Sequence, residues 1–171
     1  QDHLDLEALH NAVDRLSNAS SITLCGLGAS ASVAQDAQHK LLRFPVPVMA
    51  HTDIINQRMA ATGLDAGDCL ICISYTVRTH AIVELAALAA GSGADVLGIT
   101  APDSPLATAC QVVLGVDSGE DTELYTPMTS RIAQLVIVDI LATALALRQG
   151  DAFADHLRQV KQNLGATRST T

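Results

Sequence analysis

Aromatic residues are nearly missing from this 171-residue chain, which has two Phe, two Tyr and no Trp. Its interior must be filled by Ala, Leu, Val and Ile, side chains that suit close packing of helices on a sheet. Cations are scarce too. Ten Lys and Arg stand against eighteen Asp and Glu, a formal net charge of -8. That balance argues against this chain gripping nucleic acid by itself, because phosphate contact needs clustered cations. A small anion can still be held by local dipoles. No run of 18 uncharged apolar residues occurs. The nearest approach, IAQLVIVDILATALALR at 132–148, contains Asp139 and reads as a core helix rather than a membrane span. Cysteine is limited to Cys25, Cys69, Cys72 and Cys110. Cys69 and Cys72 sit in the strand-like run CLICIS, where residues three apart point to opposite faces. The spacing therefore chelates no metal, and the four thiols are expected to be buried and free, which fits a reducing cytoplasm.

What is present is patterned. Leu6, Leu9, Val13 and Leu16 recur at helical spacing and predict a helix over 4–17. Short apolar, β-branched runs predict strands at 22–25, 46–49, 69–73, 95–99 and 112–116. Helices are predicted between them over 31–43, 53–61, 79–91 and 104–109. A long helix over 129–148 ends at QG, and a last helix covers 152–165. Continuously apolar strands separated by helices mark a parallel sheet covered on both faces. The expected fold class is α/β, a doubly wound five-stranded parallel sheet with helices on both faces, flavodoxin-like. Residues 1–18 read as a connecting helix and 19–171 as the domain proper.

Such sheets bind ligands beyond the carboxyl ends of their strands, where the strand order reverses. Three loops are placed there: GLGAS at 26–30, SYTVRT at 74–79 and TAPDS at 100–104. GLGAS lacks the third glycine of a dinucleotide fingerprint, that position being Ala31, and no acidic residue ends the second strand. A tight turn that sets Ser30 at a helix N-terminus accounts for it better, and no cofactor is expected. SYTVRT offers the hydroxyls of Ser74, Thr76 and Thr79 and the guanidinium of Arg78, followed by a helix start with unpaired N–H groups. One N-cap would explain one hydroxyl. Three hydroxyls and an arginine suit a phosphate.

ISYTVRT resembles the S-x-S-G-x-T signature of sugar isomerase (SIS) domains, and GLGAS matches the first phosphate-side loop of that fold. The runs GASASVAQDAQHKLLRFPVPVMAHTDIINQRMAA and EDTELYTPMTSRIAQLVIVDILATALALR are similar to the sugar-binding domain of RpiR-family transcription regulators, in the HexR-like branch that controls hexose catabolism. The resemblance implies an effector-sensing domain for a phosphorylated sugar acid, 2-keto-3-deoxy-6-phosphogluconate. It also implies DNA recognition only through an N-terminal helix-turn-helix domain that this sequence does not include. Ser30 and Ser74 occupy the two ligand serines of the family, and Thr76 and Thr79 match its remaining hydroxyls. Gly28 and Tyr75 from the same two loops complete the expected ligand set. Arg78 faces either the phosphate or solvent. Lys40 or Arg131 is a candidate partner for the ligand carboxylate. The signature glycine is Val77 here, and a β-branched residue resists positive φ.

SIS domains also occur in aldose–ketose sugar-phosphate isomerases, which need a general base. His51, His80, Glu84, Glu120 and Glu123 are the candidates, with Glu120 and Glu123 the only serious ones and a solvated acidic loop their plainer explanation. A third reading is an oligomerisation module, since the helix over 129–148 is apolar on nearly every face and must find cover. Asp139 in that helix is costly unless paired. The ranking is sensor, isomerase, module, with no catalytic residue assigned and at least a homodimer expected.

Overall fold

A computed structural model describes residues 4–75, 80–117, 119 and 128–166. Helix α1 (Leu6–Ser17) begins where the Asp5 carboxylate accepts from the N–H groups of Glu7 and Ala8. Its Leu9, Ala12, Val13 and Leu16 are buried, so this helix is packed into the domain core. Then follow β1 (Ser21–Gly26), α2 (Ala29–Leu41), β2 (Val48–His51), α3 (Ile54–Thr62), β3 (Asp68–Ile73) and α4 (His80–Gly91). The chain continues through β4 (Asp95–Thr100), α5 (Pro105–Ala109), β5 (Val112–Gly115) and α6 (Thr129–Ala166). β2 starts two residues later than its sequence predicts. Pro45 and Pro47 open that stretch, and the Pro47 carbonyl accepts from the Ile22 N–H before the ladder begins.

The strand order is β2-β1-β3-β4-β5, with every pair parallel. This is the doubly wound order, and its reversal lies between β1 and β3. Alternation along each strand feeds two cores. Ile22, Leu24, Ile71, Ile73, Leu97 and Ile99 face the layer of α1, α2 and α6. Cys25, Leu70, Cys72 and Val96 face α3, α4 and α5. Cys69 and Cys72 fall on opposite sides, as strand spacing requires.

α6 joins the two helices predicted at the chain end and breaks at Gly150, whose φ of 66° and ψ of -149° suit glycine alone. By length and composition Thr129–Asp151 could cross a membrane. In this fold Ile137, Val138, Leu141 and Leu145 bury one side of it against the core. The opposite side, with Met128, Ile132, Val136, Ile140 and Leu147, is exposed rather than enclosed all round. Asp139 is not buried. It lies on the surface and accepts an ion pair from Lys40 of α2 at 2.5 Å.

Candidate functional site at the carboxyl edge of the sheet

The crevice between β1 and β3 is built from two strand ends. β1 stops at Gly26, over which the first turn of α2 passes. A Cβ on Gly26 would lie 2.5 Å from the Ser30 carbonyl oxygen, closer than any side chain tolerates. Gly28 turns the chain with φ 57° and ψ -126°, a conformation that excludes L side chains. The Ser30 N–H then donates to the Leu27 carbonyl at 3.1 Å, and the Ala31 N–H to that of Gly28 at 3.1 Å. These two glycines bring Ser30 to the start of α2, where no side chain caps the helix. Ser30 is 9% exposed.

β3 lies beside β1, with Ile73 paired to Gly26. The next residue, Ser74, therefore stands alongside the β1–α2 turn. Its N–H donates to the Ile99 carbonyl at 3.2 Å, and it is 6% exposed. Tyr75 follows, half-buried and packed on the core. Thr76, Val77, Arg78 and Thr79 lie outside the described residues, as do Glu120 and Glu123. The structure thus brings together Gly28, Ser30, Ser74 and Tyr75 from the two loops.

The third loop is occupied with itself. The Thr100 and Ser104 hydroxyls are 2.9 Å apart, and Ser104 Oγ caps α5 by accepting from the Ala107 N–H at 3.1 Å. Lys40 is not brought to Ser30. Ten residues further along α2, it lies about 15 Å away along the helix axis. Its ammonium is held above its ordinary pKa chiefly by the hydrogen bond to Asp139, with Asp36 beside it. Arg131 is exposed in the first turn of α6, one residue after the buried Ser130. Glu84 pairs with Arg58 at 2.7 Å rather than with His80. His51 ends β2 half-buried. A groove of about 510 Å³ lined by Arg43, Arg158 and Lys161 lies past the other end of α2 and contains none of the strand-end serines.

Two glutamines complete the surroundings of the first loop. Gln57 of α3, fully buried, donates from Nε2 to the carbonyls of Gly26 at 2.9 Å and His51 at 2.7 Å. It ties the ends of β1 and β2 together beneath the turn. Gln134 of α6, 1% exposed, accepts from the Ser30 hydroxyl at 3.4 Å. Neither was marked by the loops read in the sequence. The available signal was the helical stripe Ser130, Gln134, Ile137, Val138, Leu141, in which two polar residues share a face with buried apolar ones.

The thiols take no part. All four are free. Burial pushes Cys25 and Cys110 up to about 12, and Cys69 and Cys72 further. Among the described residues no group of three or more His, Cys, Asp or Glu could hold a metal.

A profile of the SIS domain matches residues 15–144. The chain is 51% identical over 165 residues to the HTH-type transcriptional regulator HexR of Pseudomonas aeruginosa, covering 96% of this chain and 58% of that one. It thus spans little more than half the length of that relative. The Vibrio vulnificus NanR protein complexed with ManNAc-6P superimposes with a TM-score of 0.89 at 22% identity, over 98% of this chain and 63% of that one. The RpiR transcription factor sugar isomerase domain from Sphaerobacter thermophilus gives a TM-score of 0.82 at 23% identity, over 93% and 88%. These two show a shared fold. With serines at both strand ends flanking the β1–β3 reversal and the profile spanning most of its length, the chain belongs to the SIS domain family.

Proposed function

We propose that this chain is the effector-sensing domain of a transcriptional regulator of sugar catabolism, and that it binds a phosphorylated sugar acid without transforming it. The observation that carries this reading is the pair of buried serines, Ser30 and Ser74, set on either side of the β1–β3 reversal. Two hydroxyls at that edge, one at an uncapped helix start, suit an anionic ligand. The 51% identity to HexR supports the regulatory role. The proposed ligand is 2-keto-3-deoxy-6-phosphogluconate. Ser74, Tyr75, Thr76, Arg78 and Thr79 hold its phosphate, and Ser30 with the Gly28 turn meets its other end. Arg131 is the better cation for the carboxylate, because Lys40 is engaged by Asp139 and Asp36. The working protein is cytoplasmic and contacts DNA through a helix-turn-helix part that the longer relatives would have room for, with α1 as the connection. The chain alone, at -8, leaves DNA unbound.

Calorimetry with 2-keto-3-deoxy-6-phosphogluconate tests the site. Ser74→Ala should weaken binding roughly 10- to 100-fold, the range for one hydrogen bond to a charged group. Wild-type affinity in that variant would remove Ser74 from the site. NMR of the chain incubated with the ligand should show it unchanged. Turnover lost on replacing Glu120 or Glu123 would instead identify an isomerase.

A further inference from the structure

Gln134 reaches the crevice from the second turn of α6. Its Oε1 accepts the Ser30 hydroxyl proton, while its Nε2 is buried and finds no acceptor among the described residues. An amide N–H shut away from water without a partner weakens a folded chain. A leucine would fill this inward position without that cost, so a partner that arrives later is the physical explanation for an amide there. The bond to Ser30 adds a second constraint. Ser30 Oγ owns one proton, and Gln134 holds it. A phosphate or carboxylate oxygen only accepts. Ser30 can donate to such an oxygen only by turning its proton away from Gln134. Oε1 of Gln134 then loses its donor as well. An anion at Ser30 would thereby leave a buried amide with a donor and an acceptor both open next to the ligand.

The dianionic phosphate of a sugar ester offers acceptors alone. A carbon chain bearing hydroxyl and carbonyl groups offers both partners. We infer that Gln134 is a ligand-contacting, specificity-determining residue that reads the hydroxylated part of a phosphorylated ligand, accepting from a ligand hydroxyl at Oε1 and donating from Nε2 to a ligand oxygen. This inference rests on the phosphosugar reading of the crevice. A purely structural amide would affect every anion alike. An amide that reads hydroxyl groups changes the discrimination between anions.

The test is calorimetry on the whole chain with two probes, inorganic phosphate and 2-keto-3-deoxy-6-phosphogluconate. Gln134→Leu should weaken the sugar acid roughly tenfold or more, the loss of two neutral hydrogen bonds. Inorganic phosphate should change less than about twofold, because it lacks the carbon chain whose hydroxyl and carbonyl groups the amide reads. Equal losses for both probes, or none for the sugar acid, overturn the inference while leaving the phosphosugar reading intact. A wild-type chain that binds no sugar acid overturns both, and is recognised before any variant is made. Should Gln134→Leu fail to fold, the wild-type chain still decides. The side-chain NH2 resonances of Gln134, assigned through its own backbone, must move when the sugar acid saturates the site. If they stay in place, Gln134 does not touch the ligand.

Discussion

Gly26 and Gly28 shape the β1–α2 turn without offering any side chain. One lets the α2 turn cross the end of β1, and the other supplies the positive φ that points the chain into that turn. Gly26→Ala forces the Ser30 backbone outward and should cost about 2–3 kcal/mol in urea unfolding, as overpacking does. Gly28→Ala has open space around its Cβ and only the backbone penalty of a sparsely populated conformation, about 1–3 kcal/mol. The thiols make a different kind of prediction. Burial holds Cys25, Cys69 and Cys72 protonated far above the ordinary value of 9.0. In the unfolded chain they ionise near that value. The unfolded state therefore binds fewer protons once the pH passes 9, and stability falls as pH rises from there towards about 12. Below pH 9 these groups give no slope. The expected loss is of order 1 kcal/mol per thiol per pH unit. It is checked by unfolding midpoints between pH 8 and 11 against a chain with Cys25, Cys69 and Cys72 replaced by Ala or Val, which should show a shallower fall.

At the scale of elements, what was legible followed from periodicity, and what was hidden followed from partners distant in sequence. The strands of the central sheet were visible because both their faces are buried, which leaves continuous apolar runs such as CLICI. The doubly wound parallel class also followed, since βαβ units admit few arrangements, while the order of the strands and the crevice at β1–β3 came only from the structure. Ser30 and Ser74 could be placed because they sit at strand-to-helix junctions. Gln57 and Gln134 could not. A glutamine on a helix ordinarily marks a wet face, and only the carbonyls of Gly26 and His51 and the hydroxyl of Ser30 make these two internal. Asp139 misleads in the opposite sense, since its apolar neighbours suggest burial while the helix turns it outward to Lys40. That geometry separates the two candidate cations. Asp139→Ala should change stability by less than about 1 kcal/mol, the worth of a surface ion pair, and leave ligand affinity unchanged. Arg131→Ala should weaken 2-keto-3-deoxy-6-phosphogluconate without altering the affinity for inorganic phosphate. Calorimetry on the two variants measures both, and a loss of affinity in Asp139→Ala would bring Lys40 back into the site.

For the molecule as a whole, the exposed side of α6 demands an explanation that the single chain does not contain. Met128, Ile132, Val136 and Ile140 follow one another at four-residue spacing, with Leu147 two turns beyond. Ile132 is 58% exposed and Val136 52%. A contiguous apolar stripe of this kind is uncommon on a monomer. We propose a second copy of the chain as its cover, because a helix side of this length can pack on itself across a two-fold axis. α6 also joins the β1–β3 crevice, through Gln134, to α1, where Arg148 pairs with Asp14 at 2.6 Å. A dimer built on α6 would therefore place ligand contact, subunit contact and the N-terminal helix on one rigid element, whose two arrangements a ligand can bias only by binding them unequally. Light scattering at micromolar concentration should give twice the chain mass of 17.8 kDa. Replacing Ile132 and Val136 together by Glu should return the mass to 17.8 kDa with an unchanged circular dichroism spectrum, since neither side chain supports the core. A wild-type chain that scatters as a monomer would remove the dimer, and a doubly substituted chain that stays dimeric would place the assembly surface elsewhere; either leaves the apolar side of α6 without this role.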